Sequence, residues 1–234
     1  MFRALRKFNP FSGIFFDLRK PYYYKYAQEN IPCDCPLCFC PARHKREYSF
    51  VYIREDQDIM YFDVPKCAST TIRYTLFGGN NSLSLTDPQR DIQTYLKFAF
   101  VRNPWNRMVS NWKMFTTVPF RIRQLKSMTS EDVSSFEDFV RFTTRKRNHH
   151  WQPQVLFLPE ALDFVGRLES FEDDFRDLCS KIGTKPERVA RENAIERLPY
   201  WEYYKPSLAE LVAEIYSEDI ARFGYKFGES GSGS

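Results

Sequence analysis

No stretch of this 234-residue sequence stays apolar over the roughly 20 residues that a membrane-crossing helix needs. The N-terminal run MFRALRKFNPFSGIFF is cut by Asn9, Pro10 and Gly13, so neither a transmembrane anchor nor a signal peptide is read there. An excess of charge of one sign is small as well, with 34 Lys and Arg against 30 Asp and Glu. A formal net charge of +4, dispersed along the chain, suits an anionic small ligand or an acidic substrate and argues against nucleic acid as a partner. Internal repeats are absent, histidine occurs three times, and none of the nine glycines falls between Ile59 and Phe77. That last absence excludes a G-x-x-x-x-G-K-[ST] loop from the segment best suited to hold a phosphate, and with it the P-loop kinase reading. Aromatic side chains, by contrast, are abundant: 22 Phe and 14 Tyr in a composition 43% apolar indicate a globular protein with an aromatic-rich core or a sugar-facing surface. The length suits one sizeable α/β core with a small appended segment, hence one domain.

Two segments carry the chemistry. Ile59 to Val64 reads as a buried strand, Pro65 ends it, and Lys66-Cys67-Ala68-Ser69-Thr70-Thr71 leads into a helix-compatible run from Thr71 to Phe77. A strand, tight loop and helix N-terminus in succession bind anions, because the unpaired N–H groups of the first turn and the positive end of the helix dipole point into the loop. Lys66 adds a full charge and three hydroxyls add donors. The plainer reading is an ordinary strand-to-helix turn capped by Thr70 or Thr71. In the second segment, Phe98 to Val101 reads as a strand, Pro104 takes the first helical position after Asn103, and Trp105 to Phe115 continues as helix. Arg102 then ends a strand at the same edge as Lys66, while Arg107 and Ser110 share a helix face, so that Arg102 and Ser110 converge on one phosphate. The competing reading makes Arg102 and Arg107 surface ion-pair residues.

PKCASTT followed by FVRNPWNRMVS resembles the two nucleotide-binding motifs of sulfotransferases that use 3′-phosphoadenosine-5′-phosphosulfate, in the branch containing the carbohydrate sulfotransferases. His150-Trp151-Gln152-Pro153-Gln154 and Asp163 to Glu169 are similar to later stretches of that family, and the resemblance runs from about Tyr48 to Phe227. It implies an α/β fold: a single domain with a central, mainly parallel sheet flanked by helices, P-loop-like in design. It places Lys66, Cys67, Ala68, Ser69, Thr70 and Thr71 around the 5′-phosphosulfate, Arg102 and Ser110 on the 3′-phosphate, and Arg167 close to the nucleotide. For Arg167 a salt bridge to Glu169 or Glu172 is an equal alternative. The implied reaction moves a sulfuryl group to a hydroxyl, on a glycan or else a small metabolite or tyrosine, with Lys66 neutralising the leaving bisphosphate and no metal required. Many relatives carry a histidine in the crossover that corresponds to residues 82–96. This chain has none there, so the base candidates are His150, then His149, then Asp87. Trp151 is read as a platform for a sugar ring, and Arg121, Arg123, Lys126, Arg145, Lys146 and Arg147 as either an acceptor cleft or a solvated helical face. Golgi members of the family are membrane-anchored; the lack of an anchor here points to a soluble, cytoplasmic enzyme of bacterial type or to a truncated chain.

The remaining expectations concern organisation. Residues 1–47 form a basic and aromatic, then cysteine-rich, extension, residues 48–227 the sulfotransferase domain, and residues 228–234 a linker-like tail. The segment 1–30 is an arm for a surface or partner, or an extension packing its aromatics on the domain. Cys33, Cys35, Cys38 and Cys40, with His44 beyond, offer thiolates for zinc, although the tight C-x-C steps count against a knuckle. Disulfides or free thiols remain open, and Cys67 and Cys179 stand alone. Ser134 or Ser135 opens a helix through Thr143, Ser170 caps another, and Ser207 to Glu210 forms a capping box for a last helix whose stripe runs from Leu208 to Phe223. Two rivals to sulfuryl transfer follow: a P-loop-type nucleotide phosphotransferase, disfavoured by the missing glycines, and a non-catalytic, zinc-stapled binding module, which leaves the two anion loops without a purpose.

Overall fold

The computed structural model describes residues 31–38, 50–78, 94–185 and 198–229. Asp87 and the crossover up to residue 93, Cys40, His44, the arm 1–30 and the last five residues lie outside them. Four strands form one sheet in the order β1 (Val51–Arg54), β2 (Ile59–Phe62), β3 (Leu96–Val101), β4 (Phe164–Arg167). β1 and β2 are an antiparallel hairpin whose turn ends on Asp58 at φ 50°, a left-handed position that aspartate tolerates. β2, β3 and β4 run parallel, with Phe62 beside Ala99 and Val101 beside Arg167. Their C-terminal ends therefore open on one edge, where ligands of open α/β sheets sit. Every residue of β2 and the last four of β3 are buried, which is why both strands read as continuous apolar runs.

The helices α1 (Ser69–Phe77), α2 (Pro104–Thr117), α3 (Pro119–Met128), α4 (Phe136–Arg145), α5 (Phe171–Lys181), α6 (Pro206–Ile215) and α7 (Ser217–Phe223) flank this sheet. The chain is an α/β domain with a mainly parallel sheet. Aromatic rings fill its core: Tyr61 stacks on Phe98 with centroids 5.1 Å apart, and Phe100 meets Phe171 edge-on at 5.2 Å. Asn103 caps α2 by accepting from the N–H groups of Trp105 and Asn106, and Ser135 caps α4 by accepting from that of Asp138. Gly78 ends α1 in the left-handed region. Two expectations at the C-terminal end are corrected. Ser207 is not a cap, because Pro206 already occupies the first helical turn and Lys205 the cap position. The stripe from Leu208 to Phe223 is two helices, broken at Tyr216, whose hydroxyl turns inward to donate to the Trp151 carbonyl at 2.7 Å. Among the described residues no helix is long and apolar enough to cross a membrane.

Candidate functional site

The loop after β2 departs from an ordinary turn. Lys66 and Ala68 both have positive φ, 75° and 61°, in a segment with no glycine. For residues bearing a Cβ this is backbone strain, and strain of that kind persists where the surroundings over-determine it, commonly at ligand sites. The Cys67 N–H closes a turn onto the Val64 carbonyl at 3.2 Å, which leaves the N–H groups from Ala68 onward to face an anion in the manner of a nest. Ala68 also stands at the N-cap of α1 with no side-chain cap. The first-turn N–H groups, among them those of Ser69 and Thr70, therefore have no partner from their own helix and are open to such an anion. Thr70 and Thr71 lie inside α1, so the capped-turn reading is set aside. Ser69 is turned inward, its hydroxyl against the Asp63 carboxylate and 3.1 Å from the Val64 carbonyl. Cys67 is fully buried beneath the loop, and burial pushes its thiol up to about 12.

Arg102 leaves β3 at the neighbouring strand end. Its guanidinium donates to the Lys66 carbonyl at 3.3 Å and to Asn106 Oδ1 at 2.7 Å, so it bridges the two loops. Ser110 is buried one turn beyond Arg107 on α2. The Lys66 ammonium lies 3.5 Å from the Met114 sulfur on that helix.

Beneath both loops is a brace that sequence reasoning missed. Arg107 is fully buried, and its guanidinium donates to three carbonyls: Pro65 at 3.0 Å, Gln152 at 2.8 Å and His150 at 3.0 Å. Gln154, also fully buried, closes the opposite side. Its Oε1 accepts from the Arg102 N–H at 2.9 Å and the Cys67 thiol at 3.3 Å, while its Nε2 donates to the Arg102 carbonyl at 2.8 Å. One side chain thus fixes the distance between the two loops. Asp219 on α7 accepts from the backbone N–H groups of Gln154 and Val155, both at 2.9 Å, and burial raises its carboxyl above the usual carboxylate range. The signal available in the sequence was the H-W-x-P-Q stretch, whose glutamine, more than its tryptophan, does the joining.

Trp151 is 2% exposed and packs on Phe115, Phe139 and Phe142, with its indole N–H donating to the Lys146 carbonyl at 2.7 Å. It is a core residue and cannot stack on a sugar. His150 is buried too. Its backbone N–H and its ring Nδ1 both meet Asn148 Oδ1, at 3.1 and 2.8 Å. A backbone N–H only donates, so that atom is the amide oxygen, the ring proton sits on Nδ1, and Nε2 keeps its lone pair. Burial holds this imidazole well below its usual range, with the neighbouring His149, Arg121, Lys66 and Arg107 acting the same way. His149 points elsewhere, its Nδ1 3.2 Å from the Cys38 sulfur.

Arg167 sits at the end of β4 on the same sheet edge, but its guanidinium donates to the Phe223 carbonyl at 2.5 Å and lies 4.7 Å from the Tyr225 ring centroid. Of the basic residues considered for an acceptor cleft, Arg145 pairs with Glu131 and Arg147 with Asp34, while Arg121 bonds Gln124 Oε1.

A model of the sulfotransferase family matches residues 50–226, which takes in both loops, the brace and all four strands. Carbohydrate sulfotransferase 11 of Mus musculus is 26% identical over 232 aligned residues, covering 74% of this chain and 66% of the relative. Carbohydrate sulfotransferase 14 of Danio rerio is 24% identical over 252, covering 85% and 68%. An uncharacterized protein of Archaeoglobus fulgidus is 29% identical over 101 residues, 42% of this chain. The chain spans about two thirds of the length of the carbohydrate sulfotransferases it matches. No solved structure matches it.

Proposed function

The chain belongs to the sulfotransferase family, and from that premise we propose that it moves the sulfuryl group of 3′-phosphoadenosine-5′-phosphosulfate to a hydroxyl on a carbohydrate. The observation that carries this reading is the pair of left-handed residues, Lys66 and Ala68, which form a glycine-free nest at the end of β2 beside Arg102 at the end of β3. A ligand with two separated anionic groups fits two such loops. The name carbohydrate sulfotransferase, borne by two relatives, supports the acceptor class.

The bound donor supplies an electrophilic sulfur and a bisphosphate leaving group. The nest N–H groups, Thr70 and Thr71 hold the 5′-phosphate, with Cys67, Ala68 and Ser69 shaping the loop that aims them. Arg102 and Ser110 take the 3′-phosphate, with Arg167 at the flank. Lys66 stabilises the charge that grows on the 5′-phosphate oxygen as its bond to sulfur breaks and the acceptor oxygen bonds to sulfur. His150 receives the acceptor proton at Nε2. Asn148 orients it by holding the proton on Nδ1, which leaves the lone pair on Nε2.

The test incubates labelled donor with panels of glycans, phenols and alcohols. Transfer to glycans is expected, and transfer to phenols alone overturns the carbohydrate assignment. His150→Ala is expected to lower turnover by about two orders of magnitude or more with nucleotide affinity nearly unchanged. Normal turnover in that variant removes the base, and loss of nucleotide binding makes His150 a positioning residue.

A further inference from the structure

Residues 31–38 belong to neither anion loop, yet they are fastened to the domain. The Asp34 N–H donates to the Arg147 carbonyl at 2.8 Å, and Arg147 answers through its own N–H to Asp34 Oδ2 at 2.8 Å and its guanidinium to Oδ1 at 2.9 Å. Gln124 Nε2 donates to the Leu37 carbonyl at 3.1 Å, and the Cys38 N–H closes the turn Cys35-Pro36-Leu37-Cys38 onto the Cys35 carbonyl at 3.3 Å. These contacts carry two cysteines to a histidine 111 residues further along the chain from Cys38. Cys38 Sγ is 3.2 Å from His149 Nδ1, and the ligand atoms of Cys33, Cys38 and His149 all lie within 4.8 Å of one another.

We propose that Cys33, Cys38 and His149 hold a structural zinc ion, with Cys35 as the fourth ligand. Zinc–sulfur bonds of about 2.3 Å and zinc–nitrogen bonds of about 2.0–2.1 Å put the edges of a tetrahedral site near roughly 3.8 Å between sulfurs and 3.6 Å between sulfur and nitrogen. Cys38 Sγ and His149 Nδ1, 3.2 Å apart, already approach such an edge, and no two of the three ligand atoms are more than 4.8 Å apart, so small shifts bring Cys33, Cys38 and His149 to one face of that tetrahedron. Cys35 lies outside that triangle but adjoins it: its thiol is within hydrogen-bonding reach of the Cys38 thiol and the Leu37 N–H, with Ser127 Oγ at 3.9 Å and the Gln124 carbonyl at 4.0 Å. A turn about its side chain completes the set. Three thiolates and an imidazole are soft donors that select zinc over magnesium or calcium. The resulting site carries one net negative charge, and Arg121 lies within electrostatic reach of Cys35 and Cys38 to offset it. A C-x-x-C turn with a distant histidine resolves the objection raised by the tight C-x-C spacing, since the ion is not wrapped by one short loop. None of the five described cysteines is in a disulfide.

The ion would staple the segment before β1 to the loop that braces the nucleotide site. His149 adjoins His150, whose carbonyl accepts from Arg107 and, at 2.8 Å, from Asn111. This inference stands whatever the donor nucleotide proves to be.

Elemental analysis of the full chain, purified under reducing conditions after zinc-supplemented growth, is expected to give about one zinc per chain. Cys33 is only partly buried, so Cys33→Ser leaves the fold intact by circular dichroism and drops the zinc content severalfold, as does His149→Ala. Cobalt loaded in place of zinc gives tetrahedral thiolate absorption in the unaltered chain and loses it in Cys33→Ser, a readout that does not rest on the stability of the variants. Protein that takes up no zinc when reduced overturns the proposal, as does a Cys33–Cys38 disulfide mapped by mass spectrometry, or zinc retained in full by both variants.

Discussion

Arg107→Met tests whether the buried guanidinium holds the loop after β2 in place. The substitution keeps the aliphatic bulk and removes every donor. The His150 carbonyl retains Asn111 Nδ2 at 2.8 Å, whereas the Gln152 carbonyl loses the donor at 2.8 Å and the Pro65 carbonyl is left with a long thiol contact from Cys67 at 3.8 Å. Orphaning a buried acceptor costs about 1–3 kcal/mol, so two cost about 2–6 kcal/mol. Relief from no longer burying a charge returns part of this, and a net loss of about 2–4 kcal/mol is expected. At about 2–4 °C per kcal/mol for a chain of this size, the melting temperature falls by about 4–16 °C. Arg107→Lys keeps the charge but reaches fewer carbonyls, so it should fall between. Arg141→Met is the control: Arg141 is half exposed and pairs with Glu137 at 3.0 Å on the surface of α4, and its loss should cost about 1 kcal/mol or less. Urea denaturation of the four proteins reads these differences directly. If Arg107→Met unfolds at the same midpoint as Arg141→Met, the brace is not what fixes the loop.

Gly166→Ala is expected to cost about 1–3 kcal/mol by the same urea assay, as overpacking of a close-packed core does. A Cβ there would lie 2.3 Å from the Phe100 ring, which also packs on Phe171 and Phe175; unchanged stability would mean the ring is free to move. The Cys67 thiol, pushed up to about 12 by burial, has about one molecule in ten thousand as thiolate at pH 8. Iodoacetamide followed by peptide mapping should find Cys67 unmodified in the native chain and modified only after unfolding, and early modification would show that the loop opens.

β2, β3 and the starts of α2 and α4 were legible because their signals are local: apolar runs ended by Pro65 and Arg102, the Asn103-Pro104 step, and the Ser135 cap, whereas β1 carried no such signal and α1 begins two residues before Thr71. The two loops at the ends of β2 and β3 were placed for the same reason, each being one contiguous stretch. What escaped depends on contacts between distant residues. Arg107 reads as a surface arginine until Pro65, His150 and Gln152 surround it, and Gln154 becomes a tie only when Arg102 and Cys67 flank it. Trp151 was misplaced because its sequence neighbours are polar, while its packing partners Phe115, Phe139 and Phe142 come from two other helices. Nothing at Tyr216 marks a helix break, since the chain turns there to bring Asp219 under Gln154 without glycine or proline. The nest itself was hidden, because Lys66 and Ala68 carry no residue-type signal for positive φ.

The most direct test of the two-loop account is a calorimetric titration of the unaltered chain with 3′-phosphoadenosine 5′-phosphate, beside adenosine 5′-phosphate and ATP, repeated on Arg102→Ala. The account predicts that the 3′,5′-bisphosphate binds more tightly than either competitor. It further predicts that Arg102→Ala removes most of that preference while leaving adenosine 5′-phosphate affinity nearly as it was, since a charge-assisted contact to one phosphate is worth about 1.5–3 kcal/mol, or about tenfold or more. Equal binding of the bisphosphate and adenosine 5′-phosphate by the unaltered chain would contradict it.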